Sequence, residues 1–251
     1  MSRLPASRRS RRSAGYSLIE LLVAMAIALF LLGGLLTIVQ STRNTYTAQT
    51  ALATLQDNER LAMILATDVI QAAGYFPDPT TNELVTALPV VPGQFPTAGQ
   101  SITGTSGGGA PGDSISVRFR TASDDTILNC AGGTNKTGAD VTYVNTFSVD
   151  AQGNLDCTLS TNGAVAAPVP LVSGIKDLQI WYGVATTGVD DNVDTYLTAA
   201  EVTAKNDWQN VTSVKVRLTF TNPLAAQQPG RPTTNYIESV VGVMSRIGAS
   251  T

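Results

Sequence analysis

The chain has 251 residues, 43% apolar and 14% charged, with two cysteines and no histidine. That length suits one or two compact domains, and it needs no metal or disulfide staple to fold. The absence of histidine excludes Ser-His-Asp and Cys-His catalysis and His-based zinc sites, and two cysteines are too few for a cysteine-only zinc or iron–sulfur centre. Charge is uneven: the first 15 residues hold Arg3, Arg8, Arg9, Arg11 and Arg12 with no acid, and beyond them 11 basic residues face 19 acidic ones, a net charge of −8. An acidic body argues against a nucleic-acid surface, which needs clustered Lys and Arg.

After the arginines come Ala14-Gly15-Tyr16-Ser17-Leu18-Ile19-Glu20, and then no charged residue until Arg43. Leu21–Val39 is nearly all apolar, and nineteen residues at ~1.5 Å each give about 28 Å, the thickness of a bilayer's hydrocarbon core. A secretory signal peptide fits poorly, because its apolar region is shorter and ends at a small-residue cleavage site. Here the small residues Ala14-Gly15 precede the apolar run. The arginines mark their end as cytoplasmic, so the C-terminal body is expected in the periplasm or outside. Glu20 is costly at the head of a lipid-embedded helix, up to ~2.5–3.5 kcal/mol if deep. A cut after Gly15 makes Tyr16 the first residue and Glu20 the fifth, where a free amine on a neighbouring copy could neutralise it. The plainer reading places Glu20 in the headgroup zone.

The Arg-rich leader, Gly15, Tyr16, the Ser17–Met25 segment and the apolar helix resemble the class III signal of type IV pilins and pseudopilins. Tyr16 replaces that family's usual Phe and keeps the ring. The resemblance implies that a prepilin peptidase cuts after Gly15 and N-methylates Tyr16.

Leu52, Leu55, Ala62, Leu65, Val69 and Ala72 follow helical spacing, so the helix is expected to run from about Ser17 to Ala73, roughly 85 Å, and to stop near Gly74 before Pro77 and Pro79. Segment 77–112 is rich in Pro, Gly, Thr and Ser and reads as a long surface loop, with room for a short strand at Glu83–Val91. Its glycines are not a phosphate-binding loop, since no Gly-Lys-Ser/Thr follows. Alternating or β-branched runs then occupy Ser114–Arg120, Asp140–Val149, Leu155–Leu159, Ile175–Val184, Val211–Thr221 and Asn235–Arg246. These predict a mainly antiparallel sheet with the helix's apolar stripe covering one face, an α+β architecture. The domain plan is residues 1–15 leader, 16–40 transmembrane helix, 41–74 periplasmic half of the helix, and 75–251 β-rich head.

Cys130 and Cys157 fall in the part expected outside the cytoplasm, where an even count favours a disulfide, with two unpaired buried thiols as the alternative. Asp190, Asn192, Asp194, Tyr196 (through its carbonyl) and Glu201 fall at positions one, three, five, seven and twelve of a calcium (Ca2+) loop. Against that, Thr195 occupies the position that calls for glycine, and a strand precedes the loop. The competing reading is a solvated acidic turn followed by a short helix at Thr198–Lys205. Trp181, Tyr182 and Trp208 offer ring faces for sugar or peptide, and core packing is expected for at least one of them.

Two further stretches, Leu55–Ala62 running on to Gln71–Tyr75, and Ile175–Val184 with the acidic loop, Trp208 and Val211–Leu218, resemble the PilW-like minor pilins. The resemblance implies a type IV pilin-like fold and a non-enzymatic, low-copy subunit that primes pilus assembly and sits near the tip. The implied partners are other minor pilins, the major pilin, the prepilin peptidase, the inner-membrane assembly platform and a tip adhesin. The implied location is the inner membrane, single-pass with a periplasmic head, and the extracellular pilus after assembly. A minor pseudopilin of a type II secretion system shares the leader and helix. A membrane-anchored periplasmic binding module is the reading from another class.

Overall fold

The computed structural model describes residues 15–108, 111–186, 192–225 and 230–246. The leader arginines and Asp190 therefore lie outside the described residues. The chain divides into a unit of residues 1–50 and a unit of residues 51–251, and helix α1, Leu18–Gln71, supplies most of the first and opens the second. No proline interrupts α1, and Leu21 N–H closes its first turn onto Ser17 O at 3.2 Å. The hydroxyls of Thr37, Thr42, Thr45 and Thr50 each donate to the carbonyl four residues back, at 2.9–3.0 Å, which satisfies them within the helix. The helix gives way to turn residues through Gly74, whose φ of +76° is the left-handed conformation expected of a C-terminal glycine. Gly74 N–H then donates to Arg118 O, which seats the helix end on the head.

The buried stripe of α1 in the second unit is wider than the spacing predicted. Leu55, Ala62 and Val69 are buried as expected, while Leu52, Leu65 and Ala72 are only partly so. Met63, Ala66 and Ile70 join them, because a helix against a globular core covers a face three to four residues wide per two turns, and Ala73 is buried in the turn that follows.

The expected single sheet is two. Strands β1 (Ile102–Thr105), β2 (Ser114–Thr121), β3 (Val141–Val149), β4 (Asn154–Thr161), β5 (Ala164–Val165) and β6 (Val169–Ser173) form a six-stranded sheet in the order β1-β2-β3-β4-β5, with β6 also pairing β4. Strands β7 (Ile175–Val184), β8 (Thr195–Leu197), β9 (Val211–Thr221) and β10 (Thr234–Gly242) form a second sheet, ordered β10-β9-β7-β8. All pairings within the two sheets are antiparallel. Asp113 clasps the sheets together: its N–H donates to Leu178 O at 2.7 Å, and its carboxylate accepts from Ile180 N–H at 2.8 Å and Gly107 N–H at 3.0 Å. Side chains from both sheets and from α1 share one core, including Val117, Phe119, Phe147, Ile180, Leu218 and Phe220.

Glu83–Val91 is not a strand. It holds a single helical turn, α2 (Leu84–Ala87), and Val91 only bridges Phe95. Strand β10 ends at Gly242 rather than 246, because Val243–Arg246 turns back, with Arg246 N–H on Val243 O and the Ser245 hydroxyl on Ala73 O. The predicted short helix is present as α3, Ala199–Lys205.

Candidate functional site

The N-terminal segment combines three features within the first unit. Gly15 is exposed, and a Cβ built on it meets nothing within 4 Å. The fold therefore makes no demand for glycine at 15, and the demand must come from whatever handles this segment. Tyr16 follows at 84% exposure, and Glu20 lies in the first helical turn. The macrodipole favours an acid there, and Leu21 to Val39 supply the apolar wall beside it. This part of α1 has a mean hydropathy of 2.7, with none of it buried against the protein. A helix that apolar and that bare is a membrane-spanning helix, with the bilayer as its solvent.

The cysteines are brought together as a Cys130–Cys157 disulfide, with Cα atoms 5.8 Å apart. Cys157 sits on β4 opposite Phe147, and Cys130 N–H donates to the buried Asn145 side chain on β3 at 2.8 Å. The bond pins the 122–140 loop onto the six-stranded sheet. Neither cysteine is a free thiol.

The two described carboxylates of the acidic loop accept local hydrogen bonds. Asp194 Oδ2 accepts from Thr186 N–H at 2.7 Å and from the Thr186 hydroxyl at 2.8 Å. Glu201 Oε2 accepts from Thr198 N–H and from its hydroxyl, both at 2.8 Å, closing a capping box on α3. These bonds hold the Glu201 carboxyl below its usual range. Tyr196 is in β8, opposite Gly183, and Asn192 is exposed just before it. The extended β8 separates Asp194 from Glu201, and among the described residues no three His, Cys, Asp or Glu side chains cluster as for a metal. Asp190, which opens the loop, lies outside the described residues.

Trp208 and Tyr182 are core residues in edge-to-face contact, ring centres 4.8 Å apart. Trp181 is half-buried on the opposite face of β7, beneath Lys215 and Arg217. Those two cations, with Tyr236 and Glu238, were not singled out from the sequence. The signal was there in the alternation of β9 and β10, which places residues 215, 217, 236 and 238 outward.

Residues 136–241 match the family model described as Type IV Pilus-assembly protein W, and residues 10–36 match the prokaryotic N-terminal methylation motif. No curated protein and no solved structure gives a significant match.

Proposed function

We propose that this chain, a type IV pilin-like minor pilin of the PilW kind, helps initiate pilus assembly and ends near the pilus tip. The family is structural and non-enzymatic, works with other pilus components, and is anchored in the membrane. In our reading a prepilin peptidase cuts between Gly15 and Tyr16 and methylates the new amine. The span holds the processed chain in the inner membrane with its head in the periplasm. Other minor pilins, the major pilin, the assembly platform and a tip adhesin are its partners there.

The observation that carries this reading is the conjunction at the N-terminus. A glycine that the fold does not need precedes an exposed ring, an acid one turn further on, and a bare apolar helix. A disulfide-clipped head suits an oxidising compartment. The pseudopilin alternative shares the N-terminus, and the match over the head favours the pilus.

The test is the mass of the protein extracted from membranes. A chain beginning at methylated Tyr16 is expected, and one beginning at Met1 or beyond the apolar run overturns the reading. A bulky residue at 15 should block processing more strongly than Gly15→Ala, since the peptidase must accommodate that side chain at the cut.

A further inference from the structure

The outer face of the four-stranded sheet carries a row of rings and cations that neither the core nor the N-terminal segment uses. Side chains alternate along a strand, so Ile180, Tyr182, Val216 and Leu218 fill the core while Trp181, Lys215, Arg217, Tyr236 and Glu238 occupy the other face. Lys215 stands opposite Trp181, and Arg217 opposite Glu238. Lys215 Nζ lies 4.7 Å from the centre of the Trp181 ring and 5.5 Å from that of Tyr196 on β8. The Arg217 guanidinium carbon lies 5.1 Å from the Trp181 ring centre and 5.0 Å from that of Tyr236. Rings from β7, β8 and β10 thus flank the two cations of β9.

The single acid in this row serves the two cations unequally. Glu238 Oε2 accepts from Arg217 at 2.6 and 2.8 Å, whereas Lys215 reaches only Oε1, at 3.8 Å. Arg217 is neutralised, and Lys215 is held by rings more than by its carboxylate. Beside them Tyr236 is 67% exposed and Val240 54%. Trp, Tyr and Arg are the residues that dominate protein–protein hot spots, and side chains already fixed in place lose little entropy on docking. Residues 51–251 carry 10 Lys and Arg against 18 Asp and Glu, so this pair of neighbouring cations stands out on an acidic head. The cations already cover the ring faces, which disfavours stacking by a sugar or base and leaves an ammonium offered to a carboxylate.

We propose that this face docks an acidic protein surface of a neighbouring pilus subunit, with Lys215 receiving a carboxylate and Tyr236 and Trp181 anchoring the contact. The proposal rests on the minor-pilin reading and adds the surface and the chemistry of the partner.

The test uses the full chain in piliated cells, with a photo-crosslinking residue at Tyr236 and, as control, at Val165, which is 71% exposed on the other sheet. Adducts are identified by mass spectrometry. The probe at 236 is expected to capture another pilin and the probe at 165 is not. Lys215→Glu is expected to lower the yield about fivefold or more, as when a hot-spot residue is lost, and Lys215→Arg to restore it. Should Lys215→Glu lower the protein's cellular level, Tyr236→Ser read with a probe at Val240 replaces it and is expected to show the same loss. A chain that fractionates with pilus components yet gives no pilin adduct at 236, equal yields at 165, or undiminished yields in the variants overturns the docking surface alone. Adducts that periodate destroys and protease leaves intact overturn it in favour of a glycan. A chain that never fractionates with pilus components overturns the pilin reading and this proposal with it.

Discussion

Arg118 is the largest side chain that the fold closes over, at 1% exposure, and it has no carboxylate partner among the described residues. Its guanidinium instead donates to the backbone carbonyls of Gln100, Pro89, Leu88 and Thr97 and lies 4.3 Å from the centre of the Phe95 ring. Burial lowers its pKa to about 10, so it stays charged at neutral pH. One side chain thereby satisfies a loop that has almost no regular structure of its own. Arg118→Met should strand several of those carbonyls and cost about 3 kcal/mol, read as a lower denaturant midpoint of the detergent-extracted protein. Tyr182 predicts the opposite sign. Its hydroxyl is fully buried with no hydrogen-bond partner among the described residues, and burial, then the charge of Asp113, push its pKa up. Tyr182→Phe should therefore leave stability unchanged or raise it by roughly 1 kcal/mol, because no bond is lost and a desolvated dipole is removed. The sequence singled out Tyr182 as a candidate for core packing but did not reveal its unpartnered hydroxyl, and it gave no sign of what Arg118 does. Arg118 sits in an alternating run like any outward strand residue, and the carbonyls it serves lie 18 to 30 residues upstream.

Among the elements, α3 is held by its cap, since Thr198 and Glu201 satisfy each other's backbone groups reciprocally. Thr198→Ala should cost about 1 kcal/mol at neutral pH. The carboxyl of Glu201 is held below its usual range, so its contribution is full above that range and fades as pH falls through the lowered value. The Thr198→Ala deficit should accordingly shrink in acid, as thermal melts across pH will show. Asp194 and Glu201 each already accept two local hydrogen bonds, so melts in millimolar calcium and in EDTA are expected to coincide, and a clear rise with calcium would overturn that expectation. Removing the disulfide with Cys130→Ser and Cys157→Ser together should cost ~3–4 kcal/mol by the loop-entropy relation, the bridged residues being 27 apart. The longer strands were readable from the sequence: β7 and β9 begin and end where the β-branched runs do. The two-residue β5 and three-residue β8 were not, because so few residues establish no period. At α2 the period was misread, since Leu84, Ala87 and Leu88 are spaced as on a helix. That the strands form two sheets was hidden too, because the Asp113 clasp depends on contacts across 67 residues.

For the whole molecule, an apolar helix without protein cover and an acidic, disulfide-clipped head can coexist only if they occupy different solvents. Glu20 is where that division is weakest. It lies in the first turn of a segment otherwise free of charge until Arg43, and in lipid its carboxylate is unfavourable unless something neutralises it. A processed chain presents a free amine at Tyr16, one helical turn from its own Glu20, so two copies or two related pilins side by side can each offer an amine to the other's acid. A pair formed in a medium of low dielectric supplies register as well as affinity, since a helix shifted by a turn leaves the acid unpaired. On this argument Glu20→Ala should leave membrane insertion and the Gly15–Tyr16 cut intact, because neither uses the acid's charge, while reducing incorporation alongside other pilins. Glu20→Gln should behave similarly, since it keeps the shape and loses the charge. The measurement is recovery of each variant in sheared pili and in crosslinks to other pilins, set against its level in membranes. Wild-type recovery of both variants would return Glu20 to a headgroup residue favoured only by the helix dipole.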